Sequence, residues 1–101
     1  MQTKLRLTIL ESLARGPEHG YRIAQRVKRL RPGLLDGNEA VLYPLLHDLE
    51  LEGLAISHVQ THNGRERRYY RLTEHGKKVL VEVRQEEPQL IRSLSPLTED
   101  A

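Results

Sequence analysis

The feature that most limits what this chain can fold into is a leucine-striped helix followed at once by an arginine-rich hairpin. The helix is Leu42-Tyr-Pro-Leu-Leu-His-Asp-Leu-Glu-Leu-Glu-Gly53, in which Leu42, Leu45, Leu46 and Leu49 recur at helical spacing. Gly53 stands where a C-terminal cap belongs. The hairpin is centred on Asn63-Gly64, the strongest short signal for a type I′ turn, because both central residues need positive φ. Arg65, Arg67, Arg68, Tyr69, Tyr70 and Arg71 follow it, and Thr73 then offers a fresh helix cap.

Two further helices are expected upstream. The first is predicted over Thr3–Arg15, with Leu5, Ile9, Leu10, Leu13 and Ala14 facing the core, and Gly16-Pro17 ends it. The second is predicted from about His19 to Leu30, burying Ile23, Ala24, Val27 and Leu30 and holding Arg22, Arg26 and Arg29 outside. Arg31-Pro32-Gly33 stops it. The third helix is predicted to start at an Asn38 cap, with Glu39 near its positive end. Pro44 then falls inside that helix and should kink it, at a cost of about 3 kcal/mol that four buried leucines at about 2 kcal/mol each outweigh.

Strands are expected near Ala55–Gln60 and Arg67–Leu72, with the register open. Thr73 caps a fourth helix carrying Val79, Leu80 and Val83, and Pro88 breaks it before Leu90, Ile91, Leu94 and Leu97. The fold class is thus mainly α with a small β-hairpin: a winged helix-turn-helix of three helices and a two-stranded wing, plus a C-terminal helix. Residues 1–73 form the winged-helix domain. Residues 74–101 form the added helix, whose stripe of Leu80, Val83, Leu90, Ile91 and Leu94 suits pairing with a second copy.

The net charge is only +2, but it is unevenly placed. Residues 1–73 carry 12 Lys/Arg against 8 Asp/Glu, whereas residues 74–101 carry 4 against 6. A polyanion partner for the first part and a bare solvated surface both fit that asymmetry. Cysteine is absent, which excludes disulfides, thiolate metal sites and cysteine nucleophiles. His58, His62 and His75 show no tight ligand spacing, so no metal or other cofactor is expected. Neither a phosphate loop nor a nucleophile elbow is present, so no catalytic residues are assigned and the chain is not expected to be an enzyme. No stretch has the length of a membrane span or the pattern of a signal peptide, which makes the cytoplasm the expected location.

Order and charge together favour a double-stranded DNA partner. The third helix offers Asn38, Glu39, Val41, Tyr43 and His47 to a groove about 12 Å wide. Wing arginines and the free amides at helix N-termini can take phosphate oxygens. The arginines also fit an ordinary solvated hairpin, Tyr69 and Tyr70 fit half-core strand positions, and Tyr43 fits a lid over the core.

Three stretches carry a family likeness. Gly16-Pro-Glu-His-Gly-Tyr-Arg-Ile23, Leu42-Tyr-Pro-Leu-Leu-His-Asp-Leu-Glu-Leu-Glu-Gly-Leu54 and Arg68-Tyr-Tyr-Arg-Leu-Thr-Glu-His-Gly76 resemble the PadR family of transcriptional regulators. Pro44 is what that family has at its position. The resemblance implies a homodimeric repressor whose third helix enters the major groove, whose wing meets flanking backbone, and whose C-terminal helix pairs. It places DNA contacts at Tyr21, at Asn38, Glu39, Val41, Tyr43, Pro44 and His47, and at Arg65, Arg67 and Arg68. The chain departs from the family pattern at Glu39-Ala40-Val41, where small residues are common, and at Pro88. Glu39 could accept from a cytosine amino group or repel phosphate. Two other functions remain open at this point: a winged helix that binds an acidic protein partner, and a regulator with a small-molecule effector pocket at the dimer interface.

Overall fold

The computed structural model describes residues 3–86. These form α1 (Thr3–Ala14), β1 (Glu18–His19), α2 (Gly20–Leu30), a 3-10 turn (Glu39–Val41), α3 (Leu42–Leu51), β2 (Ala55–His62), β3 (Arg65–Leu72) and α4 (Glu74–Glu86). The sheet is antiparallel in the order β1-β3-β2. The expected two-stranded wing is therefore three-stranded, because Glu18 and His19 pair with Tyr70 and Tyr69. A strand of two residues has no alternation to detect, so nothing in the sequence pattern announced it.

Local chemistry sets the element ends. Asn63 and Gly64 have φ of 55° and 75°, the backbone of a type I′ turn. That turn closes the hairpin on the pair His62–Arg65 and fixes the register through to Ala55–Leu72. At the end of α3, Gly53 has φ 79°, the Leu54 amide donates to the Leu49 carbonyl, and the Gly53 amide donates to that of Glu50. This is a Schellman ending, with Leu49 and Leu54 both buried beside it. Thr73 caps α4 as expected: its Oγ1 accepts from the Gly76 amide at 2.9 Å and donates to the Gly53 carbonyl at 2.6 Å.

The core joins all four helices and the sheet. Ile9, Ile23, Val27, Leu35, Leu46 and Leu49 are fully enclosed, and Tyr70, Leu72 and Leu80 close the β3–α4 side. Leu35, in the segment between α2 and the 3-10 turn, plugs this core although it belongs to no periodic stretch. Gly76 allows α4 to dock closely, since a Cβ there would strike the Leu54 carbonyl oxygen.

Several expectations are corrected. Ala14 is exposed and Leu30 only half-buried. Arg26 turns inward instead of outward: its guanidinium donates to the Ser12 and Gly16 carbonyls and to Glu18, tying α2 to the end of α1. Asn38 makes no side-chain cap, and α3 begins at Leu42 after the 3-10 turn. Pro44 consequently lies in the first helical turn, where an amide is not needed, and the expected mid-helix kink does not arise.

Leu80 is 3% exposed and belongs to the core of its own chain, with Val83 half-buried against it. The part of the stripe on α4 therefore already has an intramolecular partner. Pro88, Leu90, Ile91 and Leu94 lie outside the described residues. Among the described residues, no helix is long and apolar enough to cross a membrane.

Candidate nucleic-acid interface

Three elements converge on one concave surface. A cavity of about 500 Å³ is lined by His19, Gly20 and Tyr21 where α2 begins, by Tyr43 from the first turn of α3, and by Arg65, Glu66, Arg67 and Arg68 of the wing. Tyr21 and Tyr43 are both exposed, at 66% and 57%. An exposed pair of aromatic side chains beside free helix amides and arginines is suited to a polyanion with flat groups.

Close packing holds the two helix starts together. A Cβ on Gly20 would lie 2.6 Å from Tyr43 Cε1 and nearer still to its hydroxyl. Tyr43 can therefore lie across α2 only because residue 20 has no side chain. Tyr43, Pro44 and His47 share the exposed side of α3, opposite the buried Leu42, Leu45, Leu46 and Leu49. Val41 differs from its expected role, since it is half-buried and packs on the core. Asn38 and Glu39 are exposed just ahead of the helix.

Glu39 is not a bare negative charge. Its carboxylate lies 3.2 Å from Lys28 Nζ, and its own amide together with Lys28 holds its pKa below the usual range. The lysine offsets much of the repulsion that an acidic side chain would present to phosphate.

The wing arginines are not equivalent. Successive β3 residues point to opposite faces, so Arg65, Arg67, Tyr69 and Arg71 share one face while Arg68, Tyr70 and Leu72 share the other. Arg68 Nη1 donates to Ser57 Oγ at 3.0 Å, and the Ser57 hydroxyl and amide donate to Glu50 Oε2 at 2.6 and 3.2 Å. This chain of bonds joins the wing to the last turn of α3. Glu50, in the last turn of α3, is the link.

Arg67 has a different partner. Its Nη1 lies 2.9 Å from Nε2 of His19, which is 9% exposed. An arginine can only donate, so this imidazole accepts as the neutral ring with its proton on Nδ1. Burial pushes the His19 pKa below 6.5; Arg67 and Arg22 add to that shift and Glu18 opposes it. Tyr69 meets His19 edge-on at 5.3 Å and stacks with His58 at 6.0 Å. A neutral ring orients the guanidinium without cancelling its charge, which a carboxylate in the same place would do. His19, Gly20 and Glu50 are the residues that sequence reasoning missed. Each acts through a tertiary contact that spacing does not reveal, although the short Gly-Tyr step at the start of α2 marks one of them.

Comparison with known proteins agrees with this architecture. The model of the transcriptional regulator PadR-like family matches residues 9–82. The transcriptional regulator Rv3488 of Mycobacterium tuberculosis is 37% identical over 90 residues, which cover 89% of this chain and 81% of that protein. The crystal structure of smu.1704 from Streptococcus mutans UA159 superposes with a TM-score of 0.72 at 33% identity, covering 86% of this chain and 78% of that one. Bacillus subtilis PadR, solved in complex with operator DNA, superposes with a TM-score of 0.68 at 28% identity. That match covers 77% of this chain and 45% of the Bacillus chain, so it spans less than half of the larger protein. With its winged-helix architecture and a family match across most of its length, the chain belongs to the PadR-like family of transcriptional regulators.

Proposed function

We propose that the protein is a homodimeric repressor that binds a pseudo-palindromic operator in double-stranded DNA in the cytoplasm. The observation that carries this reading is the single concave surface shared by the α2 start, the α3 start and the wing. Tyr43, Pro44 and His47 enter the major groove, with Glu39 at its edge. Tyr21 and the first amides of α2 take backbone phosphate. Arg65 and Arg67 meet the flanking strand, and Arg68 keeps the wing set against α3. The fold shared with the Bacillus protein solved on its operator supports the same docking.

The second copy pairs through residues 87–101, which carry Leu90, Ile91 and Leu94. Two-fold pairing would set two α3 helices about 34 Å apart, one turn of DNA. Enrichment of genomic fragments on the purified protein, followed by footprinting, tests the reading. A two-fold-related pair of protected half-sites is expected. Protection without any shared sequence would turn the protein into a non-specific binder and remove the operator.

A further inference from the structure

A second set of arginines lies apart from the wing. Arg15, Arg22, Arg26 and Arg29, with Leu30, line a cavity of about 350 Å³. Arg22, Arg26 and Arg29 stand at i, i+4 and i+7 on one face of α2, and Arg15 follows the last residue of α1. Arg26 is fixed, since its Nη1 donates to the Ser12 and Gly16 carbonyls at 2.9 Å each and its Nη2 to Glu18 Oε1 at 3.1 Å. Among the described residues, Glu18 is the one carboxylate committed to the group. Arg15, Arg22 and Arg29 are exposed and make no ion pair or side-chain hydrogen bond among the described residues. Arg6 and Arg31, by contrast, are matched by Glu52 and Glu11. Four arginines around one cup against a single carboxylate leave a local positive excess among the described residues.

The lining defines the class of that anion. Guanidinium forks fit phosphoryl oxygens two at a time. Leu30 is the sole apolar wall among the lining residues, and no aromatic ring is present to stack a base. The volume lies at the small end of ligand cavities, which run from about 300 to 1,000 Å³. Charge is thus recognised here and an organic moiety is not.

We propose that this pocket binds a small phosphorylated anion of the diphosphate class, and that its occupancy weakens DNA binding. Arg22 provides the coupling. It lines the pocket, and it stands in the first turn of α2, three residues after His19, whose Nε2 meets Arg67 of the wing. Negative charge placed against Arg22 lowers the positive potential at the wing, for a loss of roughly threefold in DNA affinity at about 0.1 M salt. A free anion fits better than flanking duplex. Arg29 is nine residues from Gly20, about 13 Å along the α2 axis at about 1.5 Å per residue, and therefore far from the end that faces the wing.

Calorimetric titration of the full chain with inorganic diphosphate, at constant ionic strength and with sulfate as control, tests the site. Saturable binding of one diphosphate per chain is expected, with a dissociation constant below about 1 mM. Arg15→Gln and Arg29→Gln, both at exposed positions, should each weaken it at least tenfold while leaving DNA affinity without diphosphate unchanged. Diphosphate binding no tighter than sulfate, or unaltered binding in both variants, overturns the site. Loss of DNA affinity in those variants without diphosphate would assign the cluster to the duplex backbone and overturn the small-anion reading. Saturation that leaves DNA affinity untouched overturns the coupling. The calorimetry contains no DNA, so a chain that binds diphosphate but no duplex would count against the proposed function and not against the pocket.

Discussion

His19 Nε2 lies 2.9 Å from Arg67 Nη1, so a strand of two residues positions a wing arginine 48 residues further along the chain. The contact requires a neutral imidazole, and it therefore carries a pH dependence. The folded-state pKa of His19 is depressed below 6.5, first by burial and then by Arg67. Between that value and 6.5 the unfolded chain binds the extra proton, so stability rises with pH through this window. The contribution is complete above about pH 6.5 and is lost as pH falls through the folded pKa. Melting temperatures of the wild type and His19→Gln at pH 5.5, 6.5 and 7.5 check this. The wild type should lose more stability on acidification than the variant, and parallel curves would remove His19 as the titrating group.

Gly20 and Tyr43 give a separate test of the proposed groove-facing surface. Gly20→Ala should improve helix propensity by up to about 1 kcal/mol, yet its new methyl occupies the space of the Tyr43 ring. Because Tyr43 is 57% exposed, its ring can swing into solvent at little cost to the fold. The variant should therefore melt within a few degrees of the wild type and bind operator at least tenfold more weakly. Tyr43→Ala should match it in affinity and the double variant should add little. Additive losses would mean that the two residues act independently.

Gly76 is expected to behave differently. A Cβ there meets the backbone carbonyl of Leu54, which cannot swing aside, and lies 3.1 Å from Leu72 Cδ2. Gly76→Ala should therefore destabilise the domain by about 1–3 kcal/mol, the usual cost of overpacking. Urea denaturation reads this as a lower midpoint with an unchanged slope.

Much of this architecture is legible in the sequence. Gly53 marks the Schellman ending, Thr73 marks the α4 cap, and Asn63-Gly64 sets the hairpin, because each rests on local backbone chemistry. The leucine stripe of α3 identifies both its buried side and its exposed one. Leu35, Arg26 and His19 were not legible in the same way. Their burial or partners come from segments that meet only in the folded chain, and no local period encodes such meetings. The start of α3 differs from the sequence expectation for a related reason. Asn38 has the composition of a cap, but the backbone around it turns as 3-10 and its side chain makes no capping bond.

The dimer can be tested by truncation. With Leu80 committed to its own core, the proposed pairing is assigned to the chain beyond α4. A protein ending at Glu87 should fold with a melting temperature near that of the full chain, sediment as a monomer at micromolar concentration, and bind operator far more weakly. A persistent dimer would move the interface onto the described helices.

Sequence-specific DNA binding is measured as the affinity of the full chain for its footprinted operator against a shuffled duplex of equal length and composition. Both are measured across about 50–200 mM salt. Operator binding should be tighter by about a thousandfold or more at physiological salt. Log affinity should fall against log salt with a slope of roughly −5 to −7 for about six to eight phosphate contacts. Arg65→Ala should flatten that slope by about one unit per half-site. Equal affinity for the two duplexes, or a slope unchanged in Arg65→Ala, would contradict the proposed function.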